Sequence, residues 1–190
     1  RYRAVDELGP RASRDTTDAY GAVVGVRGDL ADTWDWESSV NVGRSTLFNL
    51  RHAGYGNKRN MFDAMVQGKM RPFDPVSTGF LPGVPHVGEQ TIQSNVQSAR
   101  FVASGELGTW GDSVWSLASG LSTTWEDYSV TVDPVTQTGD LFGGIGESGQ
   151  GSRNYQSAFT EVGLLLGNFE ALLAGRVDQY SDFGSTFNPK

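Results

Sequence analysis

The sequence predicts an all-β chain of antiparallel hairpins, with short turns at one end of the strands and long loops at the other. Three observations carry that expectation. Apolar and polar residues alternate with a period of two along three long segments, which is the pattern of strands with two unlike faces. The composition of 25 Gly, 10 Phe, 6 Tyr and 5 Trp suits pleated strands and tight turns better than helices. Long polar stretches separate the alternating segments, where a compact soluble domain would use short connections.

The first segment runs from Tyr20 to Phe48. Tyr20, Ala22, Val24, Val26 and Leu30 share one parity, and Arg27 and Asp29 the other. After a turn around Ala31-Asp32 the alternation resumes, with Trp34, Trp36, Val40 and Val42 opposed to Asp35, Glu37, Ser39 and Asn41. The second segment, Ala99 to Tyr128, sets Phe101, Ala103 and Leu107 against Arg100, Ser104 and Glu106. A turn at Gly108–Asp112 leads to Trp115, Leu117, Leu121 and Trp125, opposed to Ser116, Gly120, Ser122, Thr124 and Glu126. The third, Asn154 to Tyr180, has Gly167-Asn168 as a two-residue hairpin turn. Beyond it Phe169, Ala171, Leu173 and Val177 alternate with Glu170, Ala174, Arg176, Asp178 and Tyr180. The strand before that turn is less regular, because Glu161 shares a parity with Tyr155 and Phe159. A partial strand is expected at Tyr2–Leu8, and the long loops at Asn49–Gln90 and Ser129–Arg153. The stretch "RNMFDAMVQGKM" in the first loop is compatible with one short helix.

Strands of this length exceed the roughly 9–11 residues that cross a bilayer as part of a barrel. Short turns at one end and long loops at the other are the topology of a bacterial outer-membrane barrel. Aromatics also gather near the strand ends, with Trp34 and Trp36 by one turn and Trp125 and Tyr128 by a long loop. Trp and Tyr favour the headgroup level, where one edge of the ring is apolar and the other wet. No run approaches the length of about 18 apolar residues that a membrane-spanning helix needs, and that says nothing of strands.

The formal net charge of -7, with Lys and Arg scattered, gives no basic stripe for phosphates, so nucleic acid is not an expected partner. The absence of cysteine removes disulfides, thiolate metal sites and cysteine nucleophiles. The glycine pattern from Gly144 to Gly149 matches a dinucleotide fingerprint formally, yet that motif requires a strand before it and a helix after it. The only two histidines, His52 and His86, lie in the first long loop without recognisable ligand spacing, so no metal is expected. No Gly-x-Ser-x-Gly elbow is present. Asp35 with Glu37, or Glu126 with Asp127, could in principle form a carboxylate pair, but Asp35 and Glu37 are more simply polar residues on one face of a strand. Glu161, Glu170, Arg176 and Asp178 form a charged group on one face, expected to be a structural charge ladder. No catalytic residue and no cofactor is expected. Ligand contacts are expected in the long loops, at Tyr55, Phe62, Phe73, Phe80 and Phe142, because loops on a rigid scaffold carry function more often than strands do.

The stretch "LLAGRVDQYSDFGSTFNPK", Leu172 to Lys190, resembles a signature of TonB-dependent outer-membrane receptors. Its matching positions are Gly175, Arg176, Asp178, Tyr180, Ser181, Asp182, Phe183, Gly184, Asn188 and Pro189, with Glu161 in the strand before. "SGELGTWGDSVWSLASGLSTTWEDYS" and "YGAVVGVRGDLADTWDWESSVNVGRS" look like two earlier barrel hairpins, and "RNMFDAMVQGKMRPFDP" is similar to an extracellular loop. The likeness runs collinearly from about Tyr2 onward. It implies a barrel of about 22 strands around a plug, in a Gram-negative outer membrane, importing a siderophore, vitamin, sugar or peptide with energy delivered by TonB. Nothing here resembles a plug domain or a TonB box, so residues 1–190 are expected to form an internal part of the barrel domain. Its expected partners are outer-membrane lipid, the remainder of the barrel and plug, TonB through the plug region, and a small imported ligand. Open strand edges also invite self-association. The alternative is a soluble β-rich binding module with long recognition loops.

Overall fold

A computed structural model of the chain describes residues 5–71 and 81–189. The expected all-β class holds. The elements in chain order are α1 (Val5–Leu8), β1 (Ala12–Ala31), β2 (Trp34–Ala53), β3 (Gly56–Asn57), α2 (Lys58–Val66), β4 (Gly88–Trp110), β5 (Ser113–Val132), α3 (Pro134–Gln137), β6 (Leu141–Phe142), β7 (Gly149–Leu166), β8 (Phe169–Tyr180) and β9 (Gly184–Pro189). Seven strands form one antiparallel sheet in the order β1-β2-β4-β5-β7-β8-β9, and β3 pairs with β6 in a second, two-stranded sheet.

The short turns fall at Asp32-Thr33, Gly111-Asp112 and Gly167-Asn168. Gly167 takes φ +58, the left-handed region that a two-residue hairpin turn demands and that glycine enters without steric cost. The register from Leu166↔Phe169 to Tyr155↔Tyr180 is unbroken. Several boundaries differ from expectation. The strands continue beyond the alternating segments, β1 starting at Ala12 and β2 running to Ala53. Ala12–Ala19 is polar at nearly every position and exposed along almost its whole length, so no alternation marks it as strand. The partial strand expected at Tyr2–Leu8 is corrected by α1, while Tyr2 to Ala4 lie outside the described residues. Gly9, at φ +77, closes that helical turn by donating its N–H to Val5 O at 2.8 Å.

The register also resolves the irregular strand. Residues directly opposite in an antiparallel pair share a face, so Tyr155, Ser157, Phe159 and Glu161 lie with Tyr180, Asp178, Arg176 and Ala174 on the polar face. Glu161 is therefore in place, and the two aromatics are the exceptions. Tyr155 stacks on Tyr180 with ring centroids 5.1 Å apart. Phe159 fills the space left by Gly120, where a Cβ would lie 2.3 Å from its ring. The opposite face repeats the device, with Trp34 over Gly105 and Trp36 over Gly28. Such aromatic cover over strand glycines restores packing that a missing side chain gives up.

The chain divides into two compact units. One gathers the described residues of Arg1–Ala19, Ser45–Ser94 and Tyr128–Gly151. Its core is Met61, Ala64, Met70 and Val84, with Leu8, Met65, Leu81 and Phe142 packed against them. Helix α2 begins one residue before the stretch expected to be helical and covers it as far as Val66. Asn57 caps it, its side-chain oxygen accepting from the N–H groups of Arg59 and Asn60 at 3.0 and 3.2 Å. The other unit holds Tyr20–Arg44, Asn95–Asp127 and Ser152–Lys190. On one face of its strands Val24, Val26, Leu121, Leu173, Val177 and Phe187 are all exposed, Val24 at 72 % and Leu173 at 71 %. Trp36 and Phe101 stack on that same face, 6.2 Å apart.

Candidate functional site

The loop-bearing unit builds an open cleft of about 580 Å³. Strand β2 carries Arg51 at its end, and the chain then turns through Gly54 and Tyr55 into β3. Pairing of Gly56 with Phe142 and Asn57 with Leu141 brings the two long loops together and sets Tyr55 near Phe142. Lys58 opens α2, its Nζ donating to Gly139 O at 2.6 Å. Past β6 the chain runs through Gly143, Gly144 and Ile145, which with Arg51, Tyr55, Lys58, Leu141 and Phe142 line the cleft. The Arg11 guanidinium lies over the Tyr55 ring at 5.7 Å.

Arg51 is the unusual member. Its Nη2 donates to Gln90 Oε1 at 3.1 Å, but its Nη1 is buried with no hydrogen-bond partner among the described residues. Nη1 faces the glycine loop, 3.5 Å from where a Cβ on Gly144 would sit. A buried guanidinium nitrogen without an acceptor carries the desolvation cost of a charged group uncompensated. The carboxylate that follows shortly before β6, Asp140, is taken by Arg59 at 2.7 Å and by the Thr138 hydroxyl.

A second polar centre fastens the same unit. Asp133 caps α3, its Oδ1 accepting from Val135 N and Thr136 N at 3.0 and 3.1 Å. It also accepts from His86 Nε2 at 2.9 Å, from Glu89 N at 3.0 Å and from the Thr136 hydroxyl. Burial opposes its ionisation. The hydrogen bonds from Thr136, His86 and the backbone outweigh that and hold the carboxyl well below the usual carboxylate range. All of its acceptor capacity is used, which makes it a fastening between the loops.

In the other unit, three signature residues and one neighbour close on each other. Asp178 is 4 % exposed and Ser157 6 %. Arg176 Nε donates to both Asp178 oxygens at 2.9 and 3.0 Å, and its Nη2 reaches Asp178 Oδ1 at 2.8 Å and Ser157 Oγ at 3.0 Å. Ser157 also hydrogen-bonds Asp178, as does the Asn188 side chain opposite Arg176. Tyr180 lies between Tyr155 and Phe183, stacking on the latter at 4.1 Å. Arg153 covers both tyrosine rings at 5.9 Å and binds Glu126 at 2.6 Å. Ser181 pairs with Asn154 through N–H to O at 3.0 Å, and Gly184 turns the chain into β9 at φ +91. Gly175 pairs with Pro189, under the Phe187 ring. Asp182 is exposed in the turn. The expected charge ladder is thus partly a closed network. Glu161 stands opposite Ala174, and Glu170 opposite Leu165 near the turn, so neither joins it.

Of the residues expected to contact ligand, Tyr55 and Phe142 meet at the cleft. Phe62 projects from α2, 65 % exposed, and does not line it. Phe73 and Phe80 lie outside the described residues. Arg51 and Lys58 were not singled out from the sequence, since only the β3–β6 pairing puts them beside Phe142. Their one sequence signal is a pair of cations flanking Tyr55 in an acidic chain. Asp35 and Glu37 line a polar cleft with Arg27, Asp29, Arg100 and Ser104, where charges of both signs interleave. The Gly144–Gly149 stretch leads into β7 and not into a helix, unlike a dinucleotide loop.

Fold and sites define a class no finer than an antiparallel all-β chain of long hairpins with a ligand-sized cleft between its loops. No protein-family model matches the sequence, and no curated protein matches it.

Proposed function

We propose that this chain is a wall segment of an outer-membrane β-barrel of the TonB-dependent receptor type, whose long loops bind a small imported molecule. The observation that carries this reading is the exposed apolar face. On β1 it extends from Tyr20 to Leu30, while Ala12–Ala19 of the same strand bears Arg14, Asp15 and Asp18. A band of that length matches the roughly 9–11 residues a barrel strand needs to cross the hydrocarbon. In water the same face would be a large unpaired apolar patch. Short turns next to the band, long loops at the other strand ends and the resemblance of Leu172–Lys190 support the same reading. In it the partners are outer-membrane lipid, further barrel strands, a plug, and TonB as the source of energy; no cofactor and no enzymatic step is invoked.

Brominated lipid tests the assignment directly. In a variant that keeps only Trp125 of the tryptophans, reconstitution into vesicles with brominated acyl chains is expected to quench the fluorescence. A stable detergent-free monomer whose Trp125 stays unquenched would overturn it. The soluble β-rich module with recognition loops, which the separate core around Met61 and Met70 favours, would then stand.

A further inference from the structure

We infer that the cleft between the loops is an anion site: it takes a small molecule carrying a carboxylate or similar oxyanion on an apolar body. The inference rests on reading the long loops as the ligand-binding part, but not on what surrounds the strands. Three observations converge on one place. The first is the unsatisfied Nη1 of Arg51, buried at the glycine loop and lacking an acceptor among the described residues while Nη2 has one. A planar guanidinium presents paired donors that match an oxyanion in a fork, so the missing partner has the shape of a carboxylate oxygen. The second is the second cation. Lys58 Nζ donates to a carbonyl, Gly139 O, and stands on the same cleft wall. This concentration of positive charge occurs in a chain of net charge -7, where it opposes the overall balance.

The third observation is the rest of the lining. Tyr55, Leu141, Phe142 and Ile145 give aromatic and aliphatic walls, and Ile145 is 89 % exposed at the rim. A volume of about 580 Å³ lies within the range of small-molecule sites, which are mostly apolar with a few placed polar groups. Gly143 and Gly144 let Arg11 and Leu141 pack directly against the loop, because a Cβ on either glycine would lie 2.7 Å from one of these side chains. The cations therefore fix the charged end and the hydrophobic walls take the body. A bare inorganic anion satisfies only half of the site, and a neutral aromatic only the other half.

Benzoate, benzamide and inorganic phosphate separate these contributions. The full chain is titrated with each while the amide resonances of Gly143, Gly144 and Ile145 are followed by NMR. Benzoate is expected to shift them saturably, with benzamide and phosphate each at least tenfold weaker. Arg51→Gln is expected to weaken benzoate at least tenfold, and Lys58→Gln several-fold, whereas Phe62→Ala on the outer side of α2 leaves it unchanged. Arg51→Lys keeps the charge and the packed stem but loses the fork, so it guards against a folding defect and is expected to fall between wild type and Arg51→Gln. Equal binding of benzoate and benzamide, or undiminished benzoate binding by Arg51→Gln, would sink the anion site. Those results do not depend on lipid, so they stand apart from the outcome of the Trp125 quenching.

Discussion

At the scale of single residues, the Arg176–Asp178 pair shows how unequal two partners can be. The Asp178 side chain is 5 % exposed and that of Arg176 49 %. Removing the carboxylate leaves a guanidinium that water can reach. Removing the guanidinium leaves a buried carboxylate with Ser157 and Asn188 as its remaining side-chain donors. Breaking a buried ion pair costs about 3–5 kcal/mol when the orphaned charge stays buried, and less when it is solvated. Arg176→Ala is therefore expected to destabilise the chain more than Asp178→Ala does. Chemical denaturation of the two variants in the same medium checks this; the reverse order would mean that the cluster reorganises. The short distance in sequence between the two residues hides this asymmetry, which involves Ser157 and Asn188 on the neighbouring strands.

At the scale of elements, the loops are held by caps and not by length of regular structure. Helix α3 spans Pro134–Gln137 and cannot persist alone. Asp133 anchors it to His86 and Glu89 across the loop unit. Its folded carboxyl titrates below the ordinary 3.8. A depressed carboxylate contributes stability that is complete above the unfolded value and lost as pH falls through the folded one. Asp133→Asn is thus expected to be less stable than the parent chain at pH 6, with the gap closing as pH drops below about 4. A gap independent of pH would assign the effect to shape and not to charge. The alternation in Tyr20–Phe48 and Ala99–Tyr128 made the hairpins legible in the sequence, because a period of two is local. Asp133 and Arg51 were not legible. Their partners are His86 and Gln90, each far along the chain. No periodicity encodes a side-chain bond between segments so far apart in the chain, and Ala12–Ala19 was illegible for the opposite reason, being polar on both sides.

At the scale of the whole molecule, two features would be liabilities for a free chain in water. Strands β1 and β9 are the two edges of the seven-stranded sheet, and an unpaired edge is a template for another strand. The second feature is the apolar face of the turn-proximal strand halves. Both become assets if further strands continue the sheet and lipid covers the face. Val24 lies in the middle of the Tyr20–Leu30 band, exposed, while Thr16 shares its strand and parity but lies in the charged stretch above. Arginine on the lipid face of a barrel costs about 2–4 kcal/mol at the bilayer midplane and about 0–1 near the interface. The same change at an exposed position in water stays within about 0.5 kcal/mol. Val24→Arg is accordingly expected to lower stability in lipid vesicles by about 2–4 kcal/mol, with Thr16→Arg close to neutral, as read by urea titration of vesicle-bound chain. If another protein surface covers the band instead, Val24→Arg will break that association and change the mass of the particle in detergent-free solution. The depth dependence along one strand separates the two, because a protein cover has no midplane.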